Sequence, residues 1–398
     1  MRYFFAALLL AAPLFAQSTF DLTGYVAARG INATGPRSWL EGGWGRLEAT
    51  GDRDDVMGVA QIGADWTPSK FFDVHVSGAA RRDPEEMGGS SAGVVEAYVD
   101  AHASFGLDDV QLRAGQFFLP TSRENKDALW ASPYTINFSA LNTWIGEEVR
   151  PVGIDLQWRH TTGLGHAITA GATAFQRNDT MGALLGWRGW SVGSRLTTYG
   201  EVLPLPPLAS LQTFFSRQRD DGTKPFGTDL DGITGYSARL RYAIPPRAMI
   251  QYAYVDNRGD RELYRGEYSW ATHFHLVSAE FGDPDSFVVA AEYMRGSTGM
   301  GVFQGFVQSD FYATYLLVSE KHGKNRWSAR LDLFDTEERD FSPAESNDEH
   351  GRSWTLTWMY DLPKNLRLAT EFTQVSGNRV GTPDPNGHTF TLEARYRF

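Results

Sequence analysis

The sequence predicts an all-β protein, a transmembrane antiparallel β-barrel of about 18 strands, with 16 strands as the alternative count. Three observations lead to this fold class. Apolar and polar residues alternate with a period of two along most of the chain, as they do in strands. Short turns rich in Pro, Gly, Asp and Asn alternate with long polar loops. An N-terminal segment typical of secreted proteins precedes the first strand.

The chain begins with a segment that has the features of a secretory signal peptide. Residues 1–16 carry one positive charge at Arg2, then an apolar run too short to span a bilayer, then small residues. We expect cleavage near Ala16, although Leu14 is a less usual residue two places before it. A buried first helix is the alternative interpretation. The sequence therefore predicts a signal peptide over 1–16 and a barrel over 17–398.

Composition excludes several classes of protein. Without Arg2 the mature chain has 36 basic and 48 acidic residues, a net charge of −12, which argues against a nucleic-acid partner. There is no cysteine, so disulfides contribute nothing. No run of about 18 apolar residues follows the signal, which excludes a bundle of transmembrane helices. The 25 Phe, 16 Tyr, 12 Trp and 41 Gly indicate a fold that needs many rings and tight turns.

The connections between the alternating runs are of two kinds, short turns that join hairpins and longer polar loops. The short turns are 67–70, 105–109, 161–166, 203–207, 243–248, 281–286, 321–325 and 361–365. The long loops are 34–54, 82–92, 118–148, 177–187, 218–232, 258–268, 297–306, 336–350 and 377–387. The two kinds alternate strictly.

These seventeen connections separate eighteen strands and leave both chain ends on the short-turn side. An even strand count, short periplasmic turns and long extracellular loops are typical of β-barrels of the bacterial outer membrane. In such a barrel, closure leaves no unpaired backbone group facing lipid. The sequence therefore predicts this architecture and this location.

The strand faces differ in polarity. In the stretch RSWTLTWMYDL, Trp354, Leu356 and Trp358 point one way, while Thr355 and Thr357 point the other. A secreted sandwich or solenoid would show the same alternation, with the apolar face as its core. The barrel is favoured because rings lie beside the short turns, where an interfacial girdle belongs. These rings are Trp66, Phe71, Phe105, Tyr242, Phe281, Trp327 and Tyr360.

The last eleven residues, HTFTLEARYRF, form an alternating strand that ends on a ring. Its apolar face consists of Phe390, Leu392, Ala394, Tyr396 and Phe398. We expect this strand to close against the first one, near 18–33. A terminal Phe on a final strand also resembles the carboxy-terminal signature of bacterial outer-membrane proteins. That resemblance implies that Phe398 is an assembly signal read by the barrel-assembly machinery.

The third long loop, at about 118–148, is unusually long, and loops of that length are often functional. Its rings Trp130, Tyr134, Phe138 and Trp144 favour an ordered loop. We interpret it as folding into the barrel and narrowing a pore; an extracellular lid is the alternative. The candidate constriction residues are Arg123, Glu124, Lys126, Asp127, Glu147, Glu148 and Arg150.

A barrel of this strand number is wide enough to hold water, and no segment of plug size is left over. The polar strand faces predict a pore lined by arginines and acids of nearly balanced charge. The arginines are Arg113, Arg159, Arg195, Arg239, Arg241, Arg330, Arg367, Arg395 and Arg397. The acids are Asp73, Glu96, Asp100, Asp155, Glu292, Asp332, Glu371 and Glu393. A pore wall with charges of both signs predicts a weak preference between anions and cations. The alternative is that these charges only form ion pairs between neighbouring strands.

No catalytic or metal site stands out. His273 and His275 alternate with Phe274 and Leu276, and the pattern predicts that both histidines face inward. A third metal ligand is not identifiable, so no metal is expected. No motif selects a nucleophile for a Ser–His arrangement. The sequence therefore predicts neither an enzyme nor a cofactor.

The stretch RAGQFFLPTSRENK…W…SP…VRPVGIDLQWR, residues 113–159, resembles porins of the phosphate-selective porin O and P type. In that family a strand ending in Gly-x-Phe and a Pro leads into the pore-narrowing loop, and a Gly-Val/Ile strand leads out. The resemblance implies sixteen strands and a pore lined by arginine and lysine that selects phosphate. Resemblance to porins in general implies a homotrimer.

Taken together, these features predict an outer-membrane porin that lets small hydrophilic solutes or ions diffuse passively through a water-filled pore. An anion-selective channel for phosphate or small organic acids is one alternative, and a non-conducting structural or adhesive barrel is another. The expected partners are outer-membrane lipid and lipopolysaccharide. The acidic loops 51–55, 219–231 and 335–349 could bind cations that bridge lipopolysaccharide, or simply be solvated.

Overall fold

Sixteen antiparallel strands close into one barrel in the computed structural model of this chain. The structure describes residues 18–49, 53–82, 90–218, 222–301, 306–341 and 346–398. The predicted signal peptide, residues 1–16, lies outside these ranges.

The first eight barrel strands are β1 (Thr19–Thr34), β2 (Arg53–Ser69), β3 (Phe72–Arg82), β4 (Ser90–Phe105), β5 (Asp108–Gln116), β6 (Val152–Thr161), β7 (Ala167–Gln176) and β8 (Gly235–Ile244). After β9 (Ala248–Asp256), a loop carries a two-residue hairpin, β10 (Leu263–Tyr264) and β11 (Glu267–Tyr268). The barrel continues with β12 (Ala271–Gly282), β13 (Phe287–Met300), β14 (Val307–His322), β15 (Asn325–Glu338), β16 (Glu349–Asp361), β17 (Leu366–Arg379) and β18 (Gly387–Arg397).

Helical segments occur in the loops. The helices are α1 (Ala140–Glu148), α2 (Ala183–Trp187) and α3 (Ala209–Gln212), and single 3-10 turns cover Trp39–Glu41 and Ala128–Trp130. Among the residues that the structure describes, no helix has the length and apolarity needed to cross a membrane.

The fold class predicted from sequence is confirmed, with 16 strands, and the count of 18 is wrong. The error lies between β7 and β8, where the sequence predicted two strands on either side of the turn 203–207. The chain instead forms one long loop there, residues 177–234, which we call the fourth loop. All residues from 178 to 193 are buried. A membrane-spanning strand would have exposed every second side chain, so this segment packs on both faces.

The barrel closes where the sequence predicted, between the first strand and the last. β1 pairs with β2 on one side and with β18 on the other. The amide of Phe398 donates to the carbonyl of Gly24, and the Gly24 amide donates to the Phe398 carbonyl, both at 3.0 Å. The terminal residue is therefore the last rung of the closing ladder. Its role as an assembly signal stays a prediction.

The outer surface is apolar and carries rings near the short turns. Leu356, Leu392 and Ile62 are about half exposed on the outward face. The rings Trp66, Phe71, Phe105, Tyr242, Phe281 and Trp327 are between 40% and 66% exposed. This is the arrangement expected where a barrel wall meets lipid and the interface below it.

The outward side chains differ in size around the circumference. On β1 to β3 they include Ala28, Gly30, Gly58, Ala60 and Gly78, and nothing lies within 4 Å of the space over Gly30 and Gly58. On β15 to β18 they are large, among them Trp327, Leu331, Trp354, Phe372 and Leu392. These small residues form a patch, which we call the smooth arc, between larger outward side chains such as Val26 and Ile62. The arc of β15 to β18, which adjoins β1, is covered by bulky apolar groups.

The orientation predicted for His273 and His275 is wrong. Both histidines point outward, and the inward side chains of β12 are Phe274 and Leu276, which are 1% and 0% exposed. The reason is that the interior next to β12 is apolar, because the ring of Trp144 packs against Phe274 with centroids 5.4 Å apart. A rule that polar residues face the lumen fails where the lumen is filled.

Barrel closure should be sensitive to a methyl group at Gly24. A Cβ there would lie 2.5 Å from the Phe398 ring and 2.8 Å from the Gln61 carbonyl oxygen. We expect Gly24→Ala to lower the free energy of unfolding by about 1–3 kcal/mol through overpacking. Urea titration in detergent, followed by the heat-modified mobility on gels, measures this change.

Gly30→Ala is the matched control, because it lies on the same strand and face with open space over it. It should leave the urea midpoint within error of the wild-type value. Equal midpoints for the two variants would contradict the close packing of the seam.

Candidate functional site in the barrel interior

The loop between β5 and β6, residues 117–151, lies inside the barrel; we call it the third loop. The amides of Ile136 and Asn137 donate to the inward carboxylate of Glu371 at 2.5 and 2.9 Å. The amide of Ala140 donates to Asp332 at 3.2 Å. Because both acids project from the inner wall, the loop crosses the lumen and does not cover it from outside.

Arg330 on β15 joins the third loop to the wall. Its guanidinium bonds Glu124 at 2.5 Å and the carbonyls of Asn137 and Phe138 at 2.7 and 2.8 Å, while its Nε pairs with Asp332 at 3.0 Å. The three charged side chains are at most 1% exposed. Removing one partner of such a buried pair typically costs about 3–5 kcal/mol. This network therefore fixes the loop.

Helix α1 brings a large ring into the centre of the barrel. It begins at Ser139, whose Oγ accepts the amide of Asn142 at 3.1 Å, as an N-terminal cap does. Trp144, one turn later, packs against Phe274, Phe311 and Trp190 with centroid distances of 5.4, 5.5 and 6.1 Å. These rings are the centre of an apolar core inside the lumen.

The fourth loop is held inside the barrel by buried charges. The carboxylate of Glu349 on β16 accepts the amide of Trp190 at 2.9 Å and pairs with Arg46 at 2.9 Å. Glu48 accepts the amide of Ser194 at 2.7 Å and pairs with Arg81 of β3 at 3.2 Å. Arg46 and Glu48 belong to the first loop, so three loops meet inside the barrel.

The seven candidate constriction residues divide into two groups. Arg123, Lys126 and Asp127 lie on the short-turn side of the third loop and keep exposed surface. Lys126 pairs with Glu280 at 2.5 Å, and Asp127 pairs with Arg397 at 2.9 Å. Glu124, Glu147, Glu148 and Arg150 are wholly buried, so they offer no surface to a solute in this structure.

The buried residues of the second group bind the third loop to the fourth. Glu147 pairs with Arg188 at 2.9 Å. Glu148 accepts the indole N–H of Trp144 at 2.7 Å and the amides of Gly182 and Leu184 at 3.1 and 3.0 Å. Burial raises the pKa of Glu148 to about 7.

Arg150 lies between rings from both loops. Its guanidinium stands 4.8 Å from the Phe118 ring and 4.3 Å from the Phe226 ring, and it donates to the carbonyl of Thr197. Burial lowers the pKa of Arg150 to about 9. Its contacts are those of a packing residue.

The candidate pore-lining arginines that lie on strands face inward, and most form pairs. Those with a partner at 2.6–2.8 Å are Arg113 with Asp100, Arg239 with Asp155, Arg367 with Asp361 and Arg395 with Glu393. The acids Asp73, Glu96, Asp100, Asp155, Glu292, Asp332, Glu371 and Glu393 also point inward. Arg195 is the exception: its placement on a strand is wrong, since it lies in the fourth loop and pairs with Glu201.

Several arginines on the short-turn side form no ion pair with another described residue, and three of them lie close together. They are Arg123 of the third loop, Arg159 of β6 and Arg241 of β8. The charged groups that act on Arg241 are Arg123, Arg239 and Arg159, with Glu280 as the opposing acid. The Nε of Arg123 is buried without a hydrogen-bond partner. The wall here therefore carries excess positive charge.

A narrow crevice remains between the loops and the wall at β1 and β18. Its polar lining is Arg29, Glu48, Asn137, Thr389 and Thr391, and its free volume is about 10 Å³, roughly that of one water molecule. Arg29 pairs with Glu393 at 2.8 Å and donates to Ser194 at 2.6 Å.

Sequence reasoning missed the charged residues of this crevice. The sequence could have indicated Arg29, because this residue shares a strand face with Tyr25 and Ile31 in an otherwise apolar run. The sequence could not have indicated Glu48, because this residue lies in a loop without a repeating pattern. Only tertiary packing brings it to Arg81.

Three acids meet at the start of the fourth loop. Carboxylate oxygens of Asp179, Asp229 and Asp231 lie within 4.8 Å of one another. Burial, reinforced by the charges of the other two acids, raises the pKa of Asp179 from 3.8 to about 7. Asp179 also accepts the amide of Leu230 at 2.5 Å and thereby ties the two ends of the loop together.

Comparison with solved structures identifies the fold. The outer membrane channel DcaP of Acinetobacter baumannii has a TM-score of 0.58 and 12% identity, over 96% of this chain and 98% of that one. An anion-selective porin from Comamonas acidovorans has a TM-score of 0.54 and 11% identity, over 96% and 100%. The trimer form of OmpT, an outer membrane protein of Vibrio cholerae, has a TM-score of 0.53 and 11% identity, over 96% and 99%.

No family model and no curated protein sequence matches the chain. At these identities the likeness establishes the fold, which is that of bacterial outer-membrane barrels. The specific resemblance to phosphate-selective porins is not confirmed.

The acid cluster should make the fourth loop less stable as pH rises. A folded-state pKa above the ordinary value means that the folded loop prefers protonated Asp179. This contribution to stability is complete below about pH 4 and is lost as pH rises through 7. Within that window we expect the local opening free energy to fall by up to about 1.4 kcal/mol per pH unit. Hydrogen exchange at the Leu230 and Trp270 amides measures it.

Asp179→Asn should flatten this pH dependence, since the amide carries no charge. Asp283→Asn, in a short turn of the barrel, is the control and should leave the slope unchanged. A wild-type slope that persists in the Asp179 variant would show that another group titrates.

Proposed function

We propose that this protein is a passive outer-membrane channel for small hydrophilic solutes or ions. The observation that carries the proposal is the short-turn half of the barrel, where the wall is apolar outside and faces accessible charged side chains inside, among them Arg123, Lys126 and Arg159. A wall of that kind is stable only around polar contents, which in porins are water and solute. We expect no catalytic role.

The size of the permeating solute is expected to be small. The third and fourth loops occupy much of the lumen, and the crevice beside them has a free volume of only about 10 Å³. The open space lies on the short-turn side, where Arg123 and Lys126 are accessible. These features support a channel with a short constriction above a wider periplasmic vestibule, in which the third loop narrows the pore.

A homotrimer is part of the proposal. The smooth arc of β1 to β3, with Ala28, Gly30 and Gly58 outward, allows close approach of a second barrel wall. The trimer form of OmpT is a structural neighbour. We also expect the barrel-assembly machinery to recognise the last strand, and the outer leaflet to contribute lipopolysaccharide contacts.

Conductance of the purified protein in a planar bilayer tests the channel. We expect ohmic steps, because nothing in the proposal requires a voltage-driven movement. Silence in bilayers that accept a known porin would contradict the proposal and favour a structural or adhesive barrel.

The role of the third loop can be tested with the same measurement. Arg123→Ala with Lys126→Ala removes two positive charges from the open side of the loop and should shift the reversal potential toward cations. Lys324→Ala, in a short turn outside the lumen, is the matched control and should not shift it. Unchanged selectivity in the double variant would mean that solutes do not pass these residues.

Anion preference is the second candidate function, and one observation favours it. Arg123, Arg159 and Arg241 face the vestibule without ion-pair partners among the described residues, so an oxyanion would find unneutralised donors there. Phosphate and small carboxylates share this chemistry.

Neutralising the three arginines tests the preference. We expect Arg123→Gln, Arg159→Gln and Arg241→Gln together to reduce the anion-to-cation permeability ratio by about threefold or more, since the local field that concentrates anions is lost. The measurement is the reversal potential in a potassium chloride gradient, with phosphate and acetate added as blockers. A ratio equal to that of Lys324→Gln with Lys364→Gln would exclude the candidate.

A further inference from the structure

The outward face of the barrel carries unpaired cations on its bulky arc. Arg295 on β13 and Arg352 on β16 both point outward and are exposed. Neither forms an ion pair or a hydrogen bond with another described residue. An arginine on the lipid face costs about 2–4 kcal/mol at the bilayer midplane and close to nothing at the interface. The height of these two residues therefore matters.

Both arginines lie at the long-loop edge of the apolar band. Arg295 is eight residues above the short-turn end of its strand at Phe287, and Arg352 is nine residues above Asp361. A tilted strand climbs about 2.5 Å per residue, so the side chains start about 20 and 23 Å above the turns. The apolar band of such barrels is about 25 Å tall. The guanidinium groups therefore reach the headgroups of the outer leaflet.

The neighbours of Arg295 leave its charge available. Its cross-strand partners are His275 and Tyr312. Beyond Tyr312, the next outward residue across the sheet is Asp335 on β15. Its carboxylate is hydrogen-bonded to the imidazole of His350. His275 bonds the hydroxyl of Tyr252 at 2.7 Å.

The other acids near this edge are also occupied. Asp310 and Glu337 both pair with Arg339 at 2.8 Å, and Asp256 accepts the Tyr254 hydroxyl at 3.1 Å. The acids named here at the long-loop edge therefore have partners, whereas the two arginines do not.

The spacing of the two arginines fits a headgroup with separated phosphates. Three strand intervals lie between β13 and β16, which is about 14 Å at the usual strand spacing. Guanidinium groups bind phosphate through paired N–H donors. Two guanidinium groups at this distance would match a glycolipid headgroup that carries two separated phosphate groups, as lipopolysaccharide does.

The outward residues of the smooth arc differ from those of β13 and β16 at this height. At the same height on β1 and β2 the outward residues are Ala28 and Ala60. Among their described residues β1 and β2 thus carry no outward cation at this height, whereas β3 ends on the exposed Arg82.

We infer that the outward face of β12 to β16, with Arg295 and Arg352 as its two cations, binds the phosphate groups of lipopolysaccharide in the outer leaflet. The site is on the outside of the wall, so it is independent of whether the channel conducts and of which solute it passes.

Binding of purified lipopolysaccharide to the full barrel in detergent tests this assignment. We expect it to raise the midpoint of thermal unfolding, and Arg295→Gln with Arg352→Gln to weaken the apparent affinity about tenfold or more through loss of two charge-assisted contacts. Lys324→Gln with Lys364→Gln, which removes two charges at the opposite rim, should bind like the wild type. Arg295→Lys with Arg352→Lys should keep part of the affinity.

Three results would overturn the assignment. One is undiminished lipopolysaccharide binding by the glutamine pair. Another is equal binding of lipopolysaccharide stripped of its phosphates. The third is equal affinity for phosphatidylglycerol, which would make a general anionic lipid the occupant. Gel mobility before and after heating verifies that each variant is folded, so that loss of binding is not loss of the barrel.

Discussion

The constraint on which the whole structure depends is that a backbone amide or carbonyl cannot remain unpaired in hydrocarbon. Sixteen strands meet it by pairing in a ring, and the ring is complete because β18 pairs with β1, with Phe398 and Gly24 as the last rung. From this closure follow the even strand count, the turns at one rim and the loops at the other. Side chains then alternate between lipid and interior, and the chemistry of the protein lies in the interior set.

The interior resembles the core of a soluble domain on one side and a charged wall on the other. Trp144 and Trp190 pack against Phe311 near β14, whereas Arg29 and Glu393 pair near β1. Between these two regions, carboxylates on the wall accept backbone amides of the loops. The loops therefore depend on the wall for their hydrogen bonds, and the wall depends on the loops to bury its apolar residues.

Local pattern determined how much of this could be predicted from the sequence. The period of two encodes strand and face, so the closing strand and the inward orientation of Arg113 or Arg239 could be predicted. The same pattern misled at residues 188–217, which belong to a loop whose first part, up to residue 193, is buried on both faces, and at His273, where the lumen is apolar. Contacts such as Arg46 with Glu349 bring together residues 303 positions apart, and no local pattern records them. The arrangement inside the lumen therefore had to come from the structure.

The apolar core enclosed by the barrel has a consequence for any opening of the fourth loop. If the loop left the lumen, Phe274, Leu276, Phe311 and Phe334 would be bared to a confined space. Exposing these side chains to water would cost the free energy gained by their burial. The same apolar contacts that fill the lumen therefore act as a restoring force that returns the loop to it.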